Sequence, residues 1–184
     1  MTTFSKYVLL DRDGVINTMP KDVYILDPAE LTLVEGAAEA IRVLNDRGYG
    51  ILVISNQQCV GKGLITRDEL DLISARLSEL LRDASGAMIA DFFYCPHLVE
   101  DACDCRKLQP GLIEQARERY GFDPKRTYMA GDSYKDVYAA QAAGCPSIFV
   151  RTGNDAARFA AGELPDPMPD CVAKNLLEAV EFIL

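Results

Sequence analysis

The chain has 184 residues, of which 49% are hydrophobic and 26% charged, and a formal net charge of −9. This length and balance indicate one domain over residues 1–184 with a hydrophobic core, and they exclude a disordered or fibrous chain. The excess of acidic residues argues against a general nucleic-acid binder, which needs a basic face to bind phosphates.

A membrane or export signal is not evident in the sequence. The N-terminal segment MTTFSKYVLL lacks a basic region followed by a long apolar run, and no window reaches the roughly 18 apolar residues that span a bilayer. We therefore expect a cytoplasmic monomer without a nucleic-acid or membrane partner.

Strand-like and helix-like segments alternate along the chain. In order, they are strand KYVLL (6–10), helix EGAAEAIRVLNDRG (35–48), strand YGILVIS (49–55), helix TRDELDLISARLSELLRDASG (66–86), strand DFFYC (91–95), helix PGLIEQARERYG (110–121), strand TYMA (127–130), helix SYKDVYAAQAAG (133–144) and strand SIFV (147–150). A proline-rich loop, ELPDPMPDC (163–171), then leads to a last helix from Asn175. This alternation predicts an α/β fold with a doubly wound, Rossmann-like parallel sheet flanked by helices.

The second helix carries the clearest local signals. Thr66 and Glu69 have the spacing of a capping box, which begins a helix. Four apolar residues recur on one face of the helix: Leu70, Ile73, Leu77 and Leu81. The strands, in contrast, are continuous apolar runs, as expected when helices cover both faces of a sheet.

Polar side chains follow the predicted strands at the sheet edge where doubly wound folds bind ligands. They come from four segments of the chain: Asp11 and Asp13; Ser55, Asn56 and Gln57; Arg106 and Lys107; Asp132 and Asp136. A cluster of carboxylates needs a cation to balance its charge, and Mg²⁺ is the divalent ion that best fits carboxylates beside a phosphate.

Each of these segments also has a purely structural interpretation. The two aspartates of DRDG fit a turn or a helix cap, and Ser133 with Asp136 has the spacing of a capping box. Arg106 fits a surface cation, and Ser55 with Asn56 fits the end of a strand. Only the four segments together favour catalysis.

A second cluster lies in CPHLVEDACDC, where three cysteines and the chain's single histidine fall within residues 95–105. Cys95, His97, Cys103 and Cys105 form a set typical of a closed, structural zinc site. A disulfide is disfavoured in a cytosolic protein, and His97 as an ordinary turn residue is the remaining alternative. The other cysteines, Cys59, Cys145 and Cys171, are expected to be small buried hydrophobic residues.

The ordered segments DRDG, SNQ, CRK and GDSYKD resemble the four motifs of the haloacid dehalogenase superfamily of phosphatases, over nearly the whole chain. The resemblance implies that Asp11 is the nucleophile and Asp13 the general acid and base. It implies that Ser55 and Lys107 bind the transferring phosphoryl group.

For the metal, the resemblance implies that Asp11, the Asp13 carbonyl and Asp132 hold Mg²⁺, with Asp136 as a direct or water-mediated support. Arg12, Asn56, Gln57 and Arg106 are the expected substrate-binding residues. Asp13 needs a raised pKa to act as an acid near neutral pH, and a neighbouring carboxylate pushes the pKa in that direction.

The segment that carries the expected zinc ligands, residues 95–105, is called the zinc loop below. It narrows the resemblance to the histidinol-phosphate and heptose-bisphosphate phosphatase branch. This branch implies a small phosphorylated metabolite as substrate. The sequences QPG and VRTG resemble those of its heptose-bisphosphate members, which implies removal of the 7-phosphate of D-glycero-D-manno-heptose 1,7-bisphosphate. The segment between Asp13 and Gly36 is too short for a large cap domain, so we expect an open site.

Other interpretations stay open at this stage. The five residues between His97 and Cys103, and a proline-containing first loop, also match histidinol-phosphate phosphatases, and Ser133 stands where heptose enzymes often have lysine. A receiver-like domain with a long-lived aspartyl phosphate, or a non-catalytic interaction domain stabilised by zinc, would use the same fold without turnover.

Overall fold

The computed structural model describes residues 4–19 and 24–184, which form a six-stranded parallel sheet in the order β3-β2-β1-β4-β5-β6. The strands are β1 (Lys6–Leu10), β2 (Tyr49–Asn56), β3 (Asp91–Cys95), β4 (Met129–Gly131), β5 (Ser147–Val150) and β6 (Cys171–Ala173). Because β1 lies at the centre and the chain winds outward from it on both sides, the sheet is doubly wound, as predicted.

Seven α-helices connect or follow the strands in the described residues. They are α1 (Ala37–Asp46), α2 (Gln58–Gly61), α3 (Arg67–Ser85), α4 (Gly111–Tyr120), α5 (Tyr134–Ala142), α6 (Ala156–Ala160) and α7 (Leu176–Ile183). Helices α1, α3 and α7 pack on one face of the sheet, and α4 and α5 pack on the other. None of the helices in the described ranges is long and apolar enough to cross a membrane.

The central strand shows why both faces are covered. Val8 and Leu10 belong to the hydrophobic cluster beneath α1, α3 and α7, whereas Tyr7 and Leu9 belong to the cluster beneath α4 and α5. Successive side chains of a strand point to opposite faces, so a continuous apolar run supplies both cores.

The predicted elements agree closely with the observed ones. Strands β1, β3 and β5 have the predicted bounds, and α3 begins at the predicted capping box of Thr66 and Glu69. The stripe on α3 is fully buried. Helix α7 is also confirmed, with Asn175 as its N-cap.

The short helices α2 and α6, the edge strand β6 and the 3-10 turns Pro28–Glu30 and Pro124–Arg126 were missed. Strand β6 begins at the last residue of the segment interpreted as a proline-rich loop. Cys171 is therefore only half-buried at the sheet edge, which corrects the prediction of a buried residue, whereas Cys59 and Cys145 are buried.

The described part of the segment between β1 and α1 holds two isolated bridges and one 3-10 turn, Pro28–Glu30. The expectation of a small insertion in place of a large cap fits these residues. Pro20, the proline of the first loop, lies outside the described residues.

Candidate active site

A cleft of about 610 Å³ opens at the carboxyl ends of β1, β2 and β4. Its walls include Asp11 and Asp13 after β1, Ser55 and Asn56 from β2, Arg106 and Lys107 before α4, and Asp136 on α5. The fold thus brings together side chains that are far apart in the sequence, as the rule for ligand binding at strand ends predicts.

Lys107 is the central cation of the site and is 4% exposed. Its Nζ lies 3.0 Å from Asp11 Oδ1 and 2.5 Å from Asp136 Oδ1, and it donates to the Ile54 carbonyl at 2.7 Å. Burial alone would lower the pKa of Lys107, but attraction by Asp11 and Asp136 outweighs burial and raises it. Lys107 therefore stays charged among the carboxylates.

Asp11, Asp132 and Asp136 bring carboxylate oxygens within 4.8 Å of one another. Burial, followed by repulsion from Asp11 and Asp136, raises the pKa of Asp132 to about 8. Burial likewise raises the pKa of Asp136 to about 6, against the opposing effect of Lys107. When all three are ionised, these carboxylates carry more negative charge than Lys107 balances.

One oxygen of this group is suited to bind a cation. Asp132 Oδ2 accepts the backbone N–H of Asn154 at 2.6 Å, whereas the buried Oδ1 has no hydrogen-bond partner among the described residues. A buried, unpaired carboxylate oxygen is costly unless a metal or proton meets it. The donor set is all oxygen, so it fits Mg²⁺.

Asp132 is enclosed by backbone that only glycine allows. Gly14 has φ of +83°, and a Cβ on it would lie 2.3 Å from Asp132 Oδ2. A Cβ on Gly153 would lie 1.8 Å from the same oxygen. The two glycines thus leave room for the Asp132 carboxylate, because a Cβ at either position would displace it.

Asp136 combines the two roles considered for it. Its Oδ2 accepts the backbone N–H of Ser133 at 3.1 Å, which completes the capping box of α5, while its Oδ1 faces Lys107. Asp136 therefore caps α5 with one carboxylate oxygen and contacts Lys107 with the other.

Asp13 is held by three side chains. Arg12 donates from Nε to Oδ1 and from Nη2 to Oδ2, both at 3.0 Å. Gln57 donates to Oδ2 at 2.7 Å, and Asn17 donates to Oδ1 at 2.9 Å. This network fixes the Asp13 carboxylate at the cleft wall.

The positions of Arg12 and Gln57 differ from the expectation that both bind substrate. Arg12 is fully buried and Gln57 is 2% exposed, and both lie behind Asp13. Burial alone would lower the pKa of Arg12, but Asp13 outweighs it and raises that pKa. The sequence pattern places these polar residues after strand ends but does not indicate that their side chains turn inward, where both contact the Asp13 carboxylate.

Asn56, a residue of the cleft wall that is expected to contact substrate, also holds the Lys107 backbone. Its side chain donates to the Lys107 carbonyl at 2.9 Å and accepts the Lys107 backbone N–H at 3.0 Å. This pair fixes the Lys107 backbone beside β2. Ser55 lies at the cleft wall, 2% exposed, with its Oγ accepting a 3.1 Å bond from Gln57.

Arg106 lines the cleft where it is more open. Its Nη1 donates to the His97 carbonyl at 3.1 Å, and its Nη2 donates to Gln58 Oε1 at 3.3 Å. Arg106 is thus held at two points beside the cleft, which disfavours its interpretation as an unconstrained surface cation.

The second cluster also comes together in space. Cys95 Sγ lies 3.6 Å from both His97 Nδ1 and Cys103 Sγ, and Cys105 Sγ lies 3.2 Å from His97 Nδ1 and 3.5 Å from Cys103 Sγ. A tetrahedral Zn²⁺ with the usual bond lengths separates a nitrogen from a sulfur ligand by about 3.6 Å and two sulfur ligands by about 3.8 Å, and the observed separations lie within about 0.4 Å of these values. The four ligand atoms therefore fit a zinc ion.

The pKa values of the clustered thiols depend on their neighbours. Burial alone would raise the pKa of Cys103, but hydrogen bonds with Cys105 and Cys95 outweigh it and lower that pKa to about 7. Burial and the neighbouring thiols raise the pKa of Cys105. Three thiols this close favour a metal that accepts them all as thiolates.

Some cleft residues were not expected from the sequence. They are Tyr24, Gln58, Lys135, Asp155 and Arg158. Asp155 and Arg158 follow β5, so the rule that selected the ends of β1, β2 and β4 would have found them. Gln58 lies two residues after β2, so the same rule would have found it, whereas Tyr24 carries no comparable signal.

Comparisons with known proteins agree with this geometry. A HAD-hydrolase-like family model matches residues 104–179. The chain is 38% identical to the D-glycero-β-D-manno-heptose-1,7-bisphosphate 7-phosphatase of Pseudomonas aeruginosa, over 79% of this chain and 81% of that protein. It is 34% identical to the corresponding enzyme of Bordetella bronchiseptica, over 94% and 98%.

A solved structure is similar over almost the whole length. The crystal structure of D,D-heptose 1,7-bisphosphate phosphatase from B. bronchiseptica, complexed with magnesium and phosphate, superposes with a TM-score of 0.87 at 32% identity. The match covers 97% of each chain.

Proposed function

The chain belongs to the haloacid dehalogenase-like family of D-glycero-D-manno-heptose-1,7-bisphosphate 7-phosphatases, and on that premise we propose that it removes the 7-phosphate of D-glycero-D-manno-heptose 1,7-bisphosphate in a Mg²⁺-dependent reaction. The observation that carries the proposal is the buried contact of Lys107 with Asp11 beside the unpaired oxygen of Asp132. That arrangement suits a carboxylate that attacks a phosphate dianion.

Asp11 is the nucleophile. Its Oδ1 accepts hydrogen bonds from the Arg12 backbone at 2.7 Å and lies 3.0 Å from Lys107 Nζ. These contacts leave Oδ2 to form the bond to phosphorus as the bond to the sugar oxygen breaks. The product of this step is an aspartyl phosphate, which water then hydrolyses.

Asp13 transfers the protons. It gives a proton to the leaving sugar alkoxide and later takes one from the attacking water. Arg12, Gln57 and Asn17 hold its carboxylate at the cleft wall, so that it keeps one position in both steps.

Lys107 and Ser55 bind the phosphoryl oxygens, and Arg106 binds the phosphate at the other end of the substrate. Asp11, the Asp13 carbonyl and Asp132 would hold Mg²⁺, with Asp136 in support through its contact with Lys107. The metal would supply positive charge that offsets the charge of the phosphoryl group in the transition state. Preorganised charges of this kind are the main source of catalysis in phosphoryl transfer.

Zinc has a structural role in this proposal. Cys95, His97, Cys103 and Cys105 would hold it, and the loop that they close leads directly into Arg106. The 3.1 Å bond from Arg106 to the His97 carbonyl connects the loop to the cleft.

The test is phosphate release from a panel that contains both anomers of the heptose bisphosphate and histidinol phosphate, compared by kcat/KM with Mg²⁺ or with a chelator. We expect one heptose anomer to be preferred by at least about a hundredfold, and activity to require Mg²⁺. Preference for histidinol phosphate would contradict the proposed substrate. A long-lived aspartyl phosphate without turnover would indicate a receiver-like domain.

A further inference from the structure

Gln58 bridges two residues of the cleft that are far apart in sequence. It is the first residue of α2 and lines the cleft. Its Nε2 donates to the Tyr24 hydroxyl at 2.5 Å, and its Oε1 accepts from Arg106 Nη2 at 3.3 Å. One amide therefore connects the segment between β1 and α1 to Arg106, which directly follows the zinc loop.

The donors and acceptors allow only one orientation of this amide. A guanidinium only donates, so the oxygen of Gln58 must face Arg106 and its nitrogen must face Tyr24. Lys62 also only donates, and its Nζ lies 2.9 Å from the same hydroxyl. The Tyr24 oxygen thus accepts two hydrogen bonds, and its own hydrogen remains to be donated.

The charge of Arg106 stays available in this arrangement. Its two hydrogen-bond acceptors among the described residues, the His97 carbonyl oxygen and the Gln58 amide oxygen, are uncharged. Lys107, in contrast, is already paired with Asp11 and Asp136. Arg106 is therefore oriented at two points without being neutralised, as suits a group that binds an anion.

We propose that Gln58 is a specificity-determining positioning residue, whose amide aligns Arg106 and the Tyr24 hydroxyl on the substrate phosphate that is not hydrolysed. This inference rests on the proposed function, because it needs a substrate with two phosphates. The reacting phosphate lies at the buried Asp11 and Lys107, and Arg106 and Tyr24 form the more exposed wall.

The experiment measures kcat and KM for the heptose 1,7-bisphosphate and for the heptose 7-phosphate, which lacks the distal phosphate. Gln58→Ala removes the bridge. Gln58→Glu keeps the size and shape of the side chain but places a negative charge beside Arg106. Gln115→Ala, an exposed glutamine on α4, is the matched control.

We expect each Gln58 variant to raise KM for the bisphosphate by about tenfold, with kcat and the KM for the 7-phosphate changed by less than about twofold. In an Arg106→Ala background, Gln58→Ala should have no further effect on KM, because the bridge acts through Arg106. Tyr24→Phe should raise KM for the bisphosphate alone.

Equal KM changes for the two substrates, no change in either, or full additivity with Arg106→Ala would overturn the role of Gln58. Failure of the proposed function gives a different result, because the unaltered protein would then show no preference for the bisphosphate over histidinol phosphate. That result would overturn both proposals.

Discussion

Lys107 Nζ lies 3.0 Å from Asp11 Oδ1 at the base of the cleft, and the side chain of Lys107 is 3% exposed. The same ammonium contacts Asp136, so one buried cation balances two carboxylates from different segments of the chain. Removing the charge at either end of this arrangement should have large and distinct consequences.

Lys107→Met should lower kcat/KM by about a hundredfold or more. The reason is that the phosphoryl group loses the lysine cation that binds it, and the carboxylates lose the positive charge that balances theirs. The measurement is the initial rate of phosphate release at saturating Mg²⁺. Lys125→Met, at the exposed opposite edge of the sheet, is the control and should retain full activity. A fully active, folded Lys107→Met protein would contradict the role of this cation.

Arg12→Met should lower the free energy of unfolding by about 3 kcal/mol, because it leaves the Asp13 carboxylate in a poorly solvated position without its charged partner. Urea unfolding monitored by circular dichroism gives this value. Arg119→Met removes an exposed ion pair with Asp91 and should change stability little. Similar values for the two variants would show that the buried pair does not stabilise the fold.

Cys103→Ser should reduce both the zinc content and the unfolding temperature, because three ligands hold zinc less tightly than four. Atomic absorption and a thermal melt measure the two effects on the same sample. Cys171→Ala, outside the cluster, should keep its zinc. Unchanged zinc stoichiometry in Cys103→Ser would remove that residue from the ligand set.

The affinity for Mg²⁺ should increase between pH 6 and pH 8, because burial and nearby carboxylates raise the pKa of Asp132 to about 8 and the metal must displace that proton. A carboxyl with a higher pKa in the folded than in the unfolded state binds more protons when folded. Without Mg²⁺, the free energy of unfolding should therefore fall as pH rises through this range.

Isothermal titration calorimetry in buffers of different ionisation enthalpy would measure the affinity and the proton released together. An affinity that does not change with pH, and no proton release, would contradict a protonated Asp132 in the metal-free protein.

The sheet could be predicted because its core strands are continuous apolar runs and its helices end at glycines. Strand β6 could not, because it has three residues and follows a proline-rich segment. Its position depends on pairing with β5 and on Asp170, which accepts hydrogen bonds from the Ser147 backbone at 2.8 Å and hydroxyl at 3.0 Å. Such long-range contacts have no local sequence signal.

The carboxylates of the site could be predicted because parallel strands bring their carboxyl ends to one edge. Their partners could not be assigned in the same way. Arg12 and Gln57 follow strand ends, as substrate-binding residues do, yet both side chains turn inward to Asp13. Gln58 and Tyr24 meet only because α2 and the first loop fold against each other.

Asp11→Asn tests most directly whether Asp11 attacks the phosphorus atom, because the amide keeps the shape of the side chain and removes its nucleophilicity. The measurement is Mg²⁺-dependent phosphate release from the heptose 1,7-bisphosphate by the folded variant. We predict no detectable turnover with an unfolding temperature close to that of the unaltered protein. Substantial turnover in the well-folded variant would contradict the account.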